Sequence, residues 1–501
     1  MPRNPAGLLK LSAVAAIVMT ILARTSVNVI DIDIWHQMAL AREMFASGRI
    51  PHADLFAYTS TVTPFVDHEW GAGVVAYLLA VHAGPWAILA LKYLLIAATT
   101  VVCYACARRR GGELLNWAPL AVPAVWLAAI GYLPVRAQDY TYLAAAALMW
   151  CLIRDEEGSR KWILPWLAAF PVWANLHGGA TVAFVLLGCY WLERAIACKP
   201  HLHLMGAGAG MAALLFVNPY GTDYYYCLWR ALTLKRSGIS EWQPIWAVPG
   251  NIFAAYIVCA AAAGCCLVIA VRRFRSVPPG ASMVMTTAVL GGIHVKLAPV
   301  FAIVFISLVP GWLAGTEIPH LAAKLQRGWA DVLSAPWLIL LVVMTYAAGF
   351  ASITKPWELK VPGARASGMD SCYPTGAVEY LKRQRFTGNL MTTFDYGAYC
   401  SWKLYPLVKV SLDGRFELVY SLRLFERSGD FYGARPGWQS MLRDYPTDIV
   451  LIPARATVAR VMPTSGWERV YSDSEYELYA RPGLHLPRVE LHGPPPDGTF
   501  P

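Results

Sequence analysis

Long apolar runs separated by short polar segments dominate the first 355 residues of the chain. A helix needs about 20 mainly apolar residues to cross a bilayer, and most of these runs approach that length. The pattern therefore predicts a multi-pass α-helical membrane domain over residues 1–355. We place about eleven transmembrane helices at residues 8–30, 86–107, 116–134, 138–153, 162–177, 178–197, 204–218, 251–271, 281–297, 298–316 and 335–354.

Basic clusters between the runs predict the orientation of the chain. Lys and Arg are enriched in the cytoplasmic loops of membrane proteins. With a cytoplasmic N-terminus, every such cluster falls on the cytoplasmic side, and eleven crossings leave the C-terminus outside (N-in/C-out). The clusters lie at residues 108–110, 154–161, 194–203, 272–275 and 324–327. No small-residue cleavage site follows the first run, so we expect an uncleaved anchor.

The pattern changes near residue 356, where charged residues become frequent and short apolar segments alternate with amphipathic ones. Helical spacing at 377–384 and in parts of 425–442 alternates with strand-like segments. Those segments are at 390–393, 408–412, 448–452 and 471–481. Alternating helices and strands predict a small extracytoplasmic α/β domain over 356–483. Residues 484–501 are rich in Pro and Gly, which predicts a disordered tail.

The composition agrees with a membrane protein. Hydrophobic residues make up 57% of the chain and charged residues 15%, compared with about 25% charged in soluble domains. The net charge of +10 matches cytoplasmic loops that face anionic lipids. No nucleic-acid-binding motif is visible, so membrane lipids are the expected partners and nucleic acid is not. The sequence leaves open whether Cys372 and Cys400 form a disulfide, because it does not give the distance between them.

The first predicted outer loop, residues 31–70, carries an unusual concentration of acids. Asp31 and Asp33 stand at a predicted membrane boundary, where carboxylates are costly. The functional interpretation is a general base, or a metal ligand beside a phosphate leaving group. The structural alternative is a helix cap, with Asp33 before a short helix that Gly48 ends, plus an interfacial charge.

The end of the same loop carries a second polar cluster. Asp67, His68 and Glu69 either complete an acidic pocket with Asp31 and Asp33 or form a solvated turn that caps the next helix. His36 is a further substrate-binding candidate in this loop.

Later segments on the predicted outer side carry mainly cationic and amide groups. An Arg at membrane depth suits a phosphate fork, although a snorkelling Arg is the alternative. A Lys inside an apolar run needs a polar partner, and a lipid phosphate would serve. The candidates are Arg136 with Gln138, Asn175 with His177, Glu241, and His294 with Lys296. For Asn175 and His177, a structural role in a turn is as well supported as contact with a substrate. We expect the acids to deprotonate an acceptor hydroxyl, and Arg136 and Lys296 to neutralise a leaving phosphate.

In combination these segments resemble the GT-C superfamily, the multi-span glycosyltransferases that use polyprenyl-phosphate-linked sugars. More narrowly, the chain is similar to bacterial dolichyl-phosphate-mannose–protein mannosyltransferase-like proteins. Their first loop has the pattern D-x-D-x-W-x-H, then G-R-I-P-H-x-D-x-F-S-Y-T, then D-H-E-W-L. Corresponding residues lie at 31–36, 48–52, 54, 56, 58–59 and 67–70, and later pieces at 136–138, 173–179, 218–221, 294–299 and 412–415. The departures are His36 directly after Trp35, Ala137 where Pro is usual, and Gly71 after Trp70; none removes an acid.

The resemblance implies inverting transfer of a sugar from a lipid phosphate, with Asp31 or Asp33 as the general base. It implies a multi-pass protein of the bacterial inner (plasma) membrane with its active site on the periplasmic or extracellular face. Metal use differs across the superfamily, so a divalent cation (Mg²⁺ or Mn²⁺) at Asp31 and Asp33 stays open. The sugar, the acceptor (protein, glycan or lipid) and the oligomeric state stay open as well.

Two other classes of function compete with an enzyme. A transporter or flippase of a lipid-linked or polar solute would carry acids and bases deep within its spans and would have related halves. A non-catalytic scaffold for envelope assembly would bind a partner through the outer domain. The polar candidates gather at the predicted outer boundary and no repeat is visible, which favours the glycosyltransferase.

Overall fold

The structure, a computed structural model, describes residues 5–234, 239–314, 355–360, 373–415, 419–493 and 498–501. Contacts within the chain divide it into two units. Unit 1 consists of Met1–Asn28, Leu89–Val217 and Lys235–Glu358. Unit 2 consists of Val29–Ile88, Asn218–Leu234 and Leu359–Pro501.

Helices account for most of the described chain before residue 315. They are α1 (Pro5–Thr25), α2 (Ile32–Ser47), α3 (Trp70–His82), α4 (Pro85–Arg109), α5 (Leu114–Tyr132), α6 (Gln138–Glu156), α7 (Ile163–Leu176), α8 (Val182–Ile196), α9 (Leu202–Leu214), α10 (Asp223–Thr233), α11 (Gly250–Phe274), α12 (Ala281–Ile293) and α13 (Ala298–Trp312). Two short strands, β1 (Val29–Ile30) and β2 (Pro134–Val135), interrupt this order.

Each predicted transmembrane run up to residue 316 contains a helix, so the helical prediction is confirmed for these runs. Five helical segments of the described chain are long and apolar enough to cross a membrane: Pro85–Arg109, Leu114–Tyr132, Gly178–Ile196, Gly250–Phe274 and Val295–Trp312. The helices α7, α9 and α12 are apolar but have only 13 or 14 residues. The predicted run at 335–354, like Cys372, lies outside the described residues.

The core of unit 1 surrounds α13. Nearly every side chain from Ala298 to Trp312 is buried, as expected for a helix that is apolar on all sides. This helix packs against α5, α6, α11 and α12, and α5 packs against α1 as well. The indole of Trp117 in α5 donates to the backbone oxygen of Ile306 in α13 at 2.9 Å.

The described basic clusters meet at one end of unit 1. Arg109 bonds Glu157 at 2.6 Å, and Arg110 donates to the backbone oxygen of Pro279 at 3.0 Å. Glu193 in α8 accepts from the backbone N–H of Gly280 at 2.7 Å. The C-terminal ends of α4, α6 and α8 and the segment after α11 therefore lie together, as the predicted topology requires of elements on one side of a membrane.

Unit 2 contains a six-stranded mixed sheet. Its strands are β3 (Gly388–Met391), β4 (Val408–Val410), β5 (Ile449–Pro453), β6 (Glu468–Ser472), β7 (Tyr476–Ala480) and β8 (Val489–Glu490), in the order β4-β3-β5-β7-β6-β8. The strands β3–β4, β3–β5 and β6–β8 pair in parallel, and β5–β7 and β6–β7 pair antiparallel. The accompanying helices are α14 (Thr375–Arg383), α15 (Gly397–Leu404), α16 (Leu422–Tyr432), α17 (Ser440–Asp444) and α18 (Thr457–Val461). The predicted α/β character of this region is confirmed.

The first predicted outer loop belongs to the same unit as this sheet. Ala57 forms a parallel bridge with Val410, at the edge strand β4, and the backbone N–H of Tyr58 donates to Val410 at 3.0 Å. Helix α2 packs on α15, where Arg42 donates to the backbone oxygen of Trp402 at 2.8 Å. This differs from the predicted division at residue 356, because the sequence gives no sign of pairing between segments about 350 residues apart.

The C-terminal segment also differs from the prediction. Residues 484–501 were expected to form a disordered tail, whereas Val489–Glu490 adds a strand next to β6. Proline is tolerated beside an edge strand, so a Pro-rich composition did not prevent this pairing.

Candidate functional site

The acidic motif opens helix α2, but the capping residue is Asp31 and not Asp33 as predicted. The extended backbone of Asp31 (φ −64°, ψ 145°) lets its carboxylate accept from the backbone N–H of Asp33 at 3.0 Å. Asp33 therefore lies in the first helical turn, where the partial positive charge of the helix N-terminus favours a carboxylate. Gly48 ends the helix with φ 67°, as predicted.

Asp33 lies against the turn that follows strand β4. A Cβ atom built on Gly414 would lie 2.7 Å from Asp33 Oδ1, so only a glycine fits there without a shift. His36, one turn further along α2, has its Nδ1 4.0 Å from the same oxygen. The Asp33 side chain remains 38% exposed, whereas His36 is buried. Asp33 thus lies against this turn with part of its side chain exposed to solvent.

A buried ion network supports this turn. Arg415 donates to Asp413 through Nε at 2.8 Å and through Nη2 at 2.6 Å, and to Asp54 through Nη1 at 2.6 Å. All three side chains are buried, and the guanidinium lies 5.2 Å from the centre of the Phe56 ring. Burial alone would raise the pKa of Asp413, but Arg415 outweighs that effect and holds it below its usual range. The network carries two carboxylates and one cation.

His36 is neutral at ordinary pH. Burial lowers its pKa to about 3, although the Asp413 carboxylate partly opposes the effect. A neutral imidazole both donates and accepts hydrogen bonds, so it suits contact with a hydroxyl group. Gln37, the next residue, donates to the Glu69 carboxylate.

Asp67, His68 and Glu69 lie in the same unit as α2. The Asp67 carboxylate accepts from the backbone N–H of Glu69 at 3.1 Å, and His68 Nε2 lies 3.4 Å from Glu69 Oε1. Burial raises the pKa of Asp67 to about 6, partly opposed by His68. Within the described ranges, Asp67 Oδ2 is buried without a hydrogen-bond partner. Asp67 can therefore exchange a proton near neutral pH.

A cationic cluster forms in unit 1. Both terminal nitrogens of Arg136 donate to Glu241 Oε1 at 2.6 Å, and Lys296 Nζ lies 3.8 Å from Glu241 Oε2. Gln138 donates to the backbone oxygen of Lys296 at 3.3 Å. His294 Nδ1 lies 3.0 Å from the backbone oxygen of Trp242.

Arg136 and Lys296 both contact the Glu241 carboxylate in this cluster. Burial would raise the pKa of Glu241, but Arg136 and Lys296 outweigh it and lower the value. Glu241 is therefore ionised, and its carboxylate contacts both cations.

The contacts of Asn175 and His177 favour the structural alternative. The Asn175 amide donates to the backbone oxygens of Pro171 and Val217, both at 2.7 Å. His177 Nδ1 accepts from the backbone N–H of Gly179 at 2.9 Å and contacts Thr141 Oγ1 at 2.7 Å. These bonds join the end of α7 to neighbouring segments, which is the role of turn residues.

The structure brings the predicted site residues together in two groups. Unit 2 holds Asp31, Asp33, His36, Asp67, His68 and Glu69, and unit 1 holds Arg136, Gln138, Asn175, His177, Glu241, His294 and Lys296. Sequence reasoning did not select Asp54, Asp413 or Arg415 as site residues. The Asp-Gly-Arg order at the end of a predicted strand was a weak signal, since Asp-Gly by itself indicates only a turn.

The acids were also considered as metal ligands. Across the residues that the structure describes, no three His, Cys, Asp or Glu side chains are grouped as a metal site requires.

The described part of the chain is mostly helical, with five helical segments long and apolar enough to cross a membrane, and it has a C-terminal sheet region. Comparison with protein-family models gave no match, and comparison with curated proteins gave no significant match.

Proposed function

We propose that this protein is a membrane glycosyltransferase that transfers a sugar from a polyprenyl-phosphate donor to an acceptor on the extracytoplasmic face. The observation that carries the proposal is the state of Asp33. It is a partly exposed carboxylate at the start of a helix, close to Gly414, and the described residues of the chain include five helical segments long and apolar enough to cross a membrane.

Asp33 acts as the general base. Its carboxylate takes the proton of an acceptor hydroxyl as that oxygen attacks the anomeric carbon of the donor sugar. The bond from the anomeric carbon to the phosphate oxygen breaks, and the polyprenyl phosphate leaves with the electron pair. Attack from the face opposite the leaving group inverts the anomeric centre. Asp31 positions the base, because its carboxylate binds the backbone N–H of Asp33.

The neutral His36 imidazole supports the same step. It lies beside Asp33 and, with its lowered pKa, carries no charge at ordinary pH. We assign it a hydrogen bond to the acceptor, since an uncharged ring can orient a hydroxyl without competing for its proton.

The cations of unit 1 are assigned to the donor phosphate. Arg136 offers a planar fork that matches phosphate oxygens, and Lys296 offers a second positive charge. Glu241 contacts both groups and keeps them close to each other, and two cations side by side would stabilise the negative charge that grows on the phosphate as it departs.

The test is turnover of labelled polyprenyl-phosphate sugars by the purified protein. We expect Asp33→Asn to lower turnover by about 100-fold or more, since general-base catalysis contributes on the order of 10²–10⁴. Asp31→Asn should have a smaller effect because its amide oxygen still accepts the Asp33 N–H. Asp430→Asn, an exposed residue of α16, is the matched control and should leave turnover unchanged.

Two outcomes would count against the assignment. Turnover by Asp33→Asn equal to that of the control would remove the proposed base. Absence of sugar release across a broad donor panel would favour transport or scaffolding instead. A parallel series with chelator shows whether a divalent cation takes part.

A further inference from the structure

A cavity of about 510 Å³ lies in unit 1 where the basic clusters meet. Its lining comes from the ends of several helices and the connections between them. The lining includes Arg109, Arg110, Glu156, Glu157, Phe274 and Trp312. This volume is within the range of about 300–1,000 Å³ that small-molecule sites have in proteins. None of these residues belongs to the proposed glycosyltransferase site, so the inference below is independent of it.

The cavity lies where membrane-spanning segments end. Three of the five candidate spans end at lining residues, namely at Arg109, Phe274 and Trp312. Tryptophan is enriched at the membrane–water interface, where one part of the ring is apolar and its N–H is satisfied. The Trp312 indole donates to the backbone oxygen of Pro279 at 3.2 Å. A cavity at the ends of these candidate spans is expected at the depth of lipid headgroups.

The charges of the lining are balanced in pairs. Arg109 binds Glu157 through two bonds of 2.6 and 2.7 Å, and Arg110 binds Glu156 at 2.9 Å. These pairs are partly exposed, with 12–37% of each side chain accessible. Partly exposed pairs contribute little to stability, so a ligand that offers a replacement charge to each partner can separate them at small cost.

Backbone carbonyl groups near the cavity favour a ligand that donates hydrogen bonds. The ends of α4 and α11 that border the cavity are C-terminal ends, and these carry partial negative charge. Pro279, whose carbonyl accepts from Arg110 and Trp312, also lies in the lining. A site with guanidinium groups, carboxylates and carbonyl groups is complementary to a molecule that carries both a phosphate and an ammonium with N–H groups.

We propose that this cavity binds the headgroup of phosphatidylethanolamine. Its phosphate would lie on Arg109 and Arg110, and its primary ammonium on Glu156, Glu157 and the helix-terminal carbonyl groups. A phosphocholine headgroup lacks N–H donors, and a phosphatidylglycerol headgroup lacks the positive charge. Both should therefore bind more weakly.

The test uses the full chain in nanodiscs of phosphatidylcholine, into which phosphatidylethanolamine, its N,N-dimethyl form or phosphatidylglycerol is titrated. We measure the unfolding midpoint and the lipids retained in native mass spectrometry. We expect phosphatidylethanolamine to be retained preferentially and to raise the midpoint by several degrees, because a ligand that binds only the folded state stabilises it. The dimethyl form should give a smaller rise, and soluble phosphoethanolamine should give little, since it lacks acyl chains.

The variants Arg110→Gln and Glu156→Gln should each lose most of this rise. Arg160→Gln, an exposed residue of the same connecting segment, is the matched control and should keep it. Equal effects of phosphatidylglycerol and phosphatidylethanolamine on the wild-type protein would overturn the proposal, and that comparison needs no variant. The proposal would also be overturned if Arg110→Gln and Glu156→Gln lowered the midpoint in pure phosphatidylcholine but kept the full rise on addition of phosphatidylethanolamine. Such variants would show that the two residues stabilise the fold without binding the headgroup.

Discussion

Three carboxylates of unit 2 have the same chemistry in the sequence and different properties in the fold. Asp33 is partly exposed, Asp67 is buried with a pKa of about 6, and Asp413 is paired with Arg415 and has a lowered pKa. Water and an adjacent guanidinium both favour an ionised carboxylate, and an apolar surrounding favours the neutral form. The surroundings therefore make Asp33 the base candidate, Asp67 a titrating group and Asp413 a fixed charge.

The first prediction concerns Asp67 and pH. Its pKa is about 6 in the folded chain and 3.8 in the unfolded chain, so between these values only the folded state keeps the proton. Stability attributable to this group is thus greatest at low pH and falls as pH rises through 6. Between pH 5 and 7.5 the loss is about 1.4 kcal/mol, since one pKa unit corresponds to about that amount.

Asp67→Asn should remove this loss, because an amide does not titrate in this range. The free energy of unfolding should therefore fall less between pH 5 and pH 7.5 in the variant than in the wild type. The Asn oxygen can still accept the Glu69 N–H. Thermal unfolding at the two pH values measures the difference, with Asp430→Asn as the exposed control. An identical pH dependence in Asp67→Asn and wild type would contradict the raised pKa.

The second prediction concerns Gly414. An alanine there would bring its Cβ to 2.7 Å from Asp33 Oδ1 and force the carboxylate to move. Because a short side chain can move at low cost, we expect a stability change under about 1 kcal/mol. Turnover should fall roughly 10- to 100-fold, as a misplaced catalytic group is costly.

Gly429→Ala in α16 is the matched control for Gly414, since its added methyl group meets nothing within 4 Å. Comparing kcat and the unfolding midpoint of both variants separates a displaced base from a general packing defect. Full turnover in Gly414→Ala would show that the position of the Asp33 carboxylate does not matter.

At the scale of elements, the turn after β4 connects the first loop to the C-terminal sheet. Arg415 follows β4 and binds Asp54, which lies 361 residues earlier in the first loop. Removing one partner of a buried ion network leaves the other charges buried without compensation. This network therefore holds together parts of unit 2 that are distant in the sequence.

The third prediction tests this network. Arg415→Gln should destabilise unit 2 by roughly 3–5 kcal/mol, because it leaves the buried Asp54 and Asp413 without their cation. Arg435→Gln breaks an exposed pair with Asp430 and should cost less than about 1 kcal/mol. Thermal unfolding of both variants checks the prediction. Similar unfolding midpoints for Arg415→Gln and Arg435→Gln would show that the Arg415 ion pairs do not contribute strongly to the stability of this unit.

At the scale of the whole molecule, the contacts within unit 1 separate the basic clusters from the outer-loop candidates. The C-terminal ends of α4, α6 and α8 and the segment after α11 meet through Arg109, Arg110 and Glu193, whereas Arg136, Glu241 and Lys296 form a different group. When successive helices run in opposite directions, every second connection lies at the same end of the helices. This arrangement produces two separate groups of connections.

The fourth prediction concerns orientation across the membrane. We expect the N-terminus inside and the C-terminus outside, since the basic clusters then lie in the cytoplasm. A fusion after residue 501 should give active alkaline phosphatase and no GFP fluorescence, and a fusion after Arg110 should give the reverse. Fluorescent GFP after residue 501 would contradict the predicted odd number of crossings.

Much of the secondary structure could be predicted from the sequence. Apolar runs marked α1, α4 to α9 and α11 to α13, and strand-like patterns marked β3 to β7, because these signals are local. Helix α10 was not predicted. The start of α2 was misplaced by two residues, since Asp31 and Asp33 are equally good capping residues and only the backbone decides between them.

The sequence by itself determined the apolar helices, the change in pattern near residue 356 and the acids of the first loop. These depend on residue type and short spacing. Only the tertiary structure decided that the first loop joins the sheet unit, that Arg415 binds Asp54 and Asp413, and that Asp67 is buried while Asp33 is accessible. Pairing between distant segments and the burial of a charge depend on how the chain packs, and no local pattern encodes them.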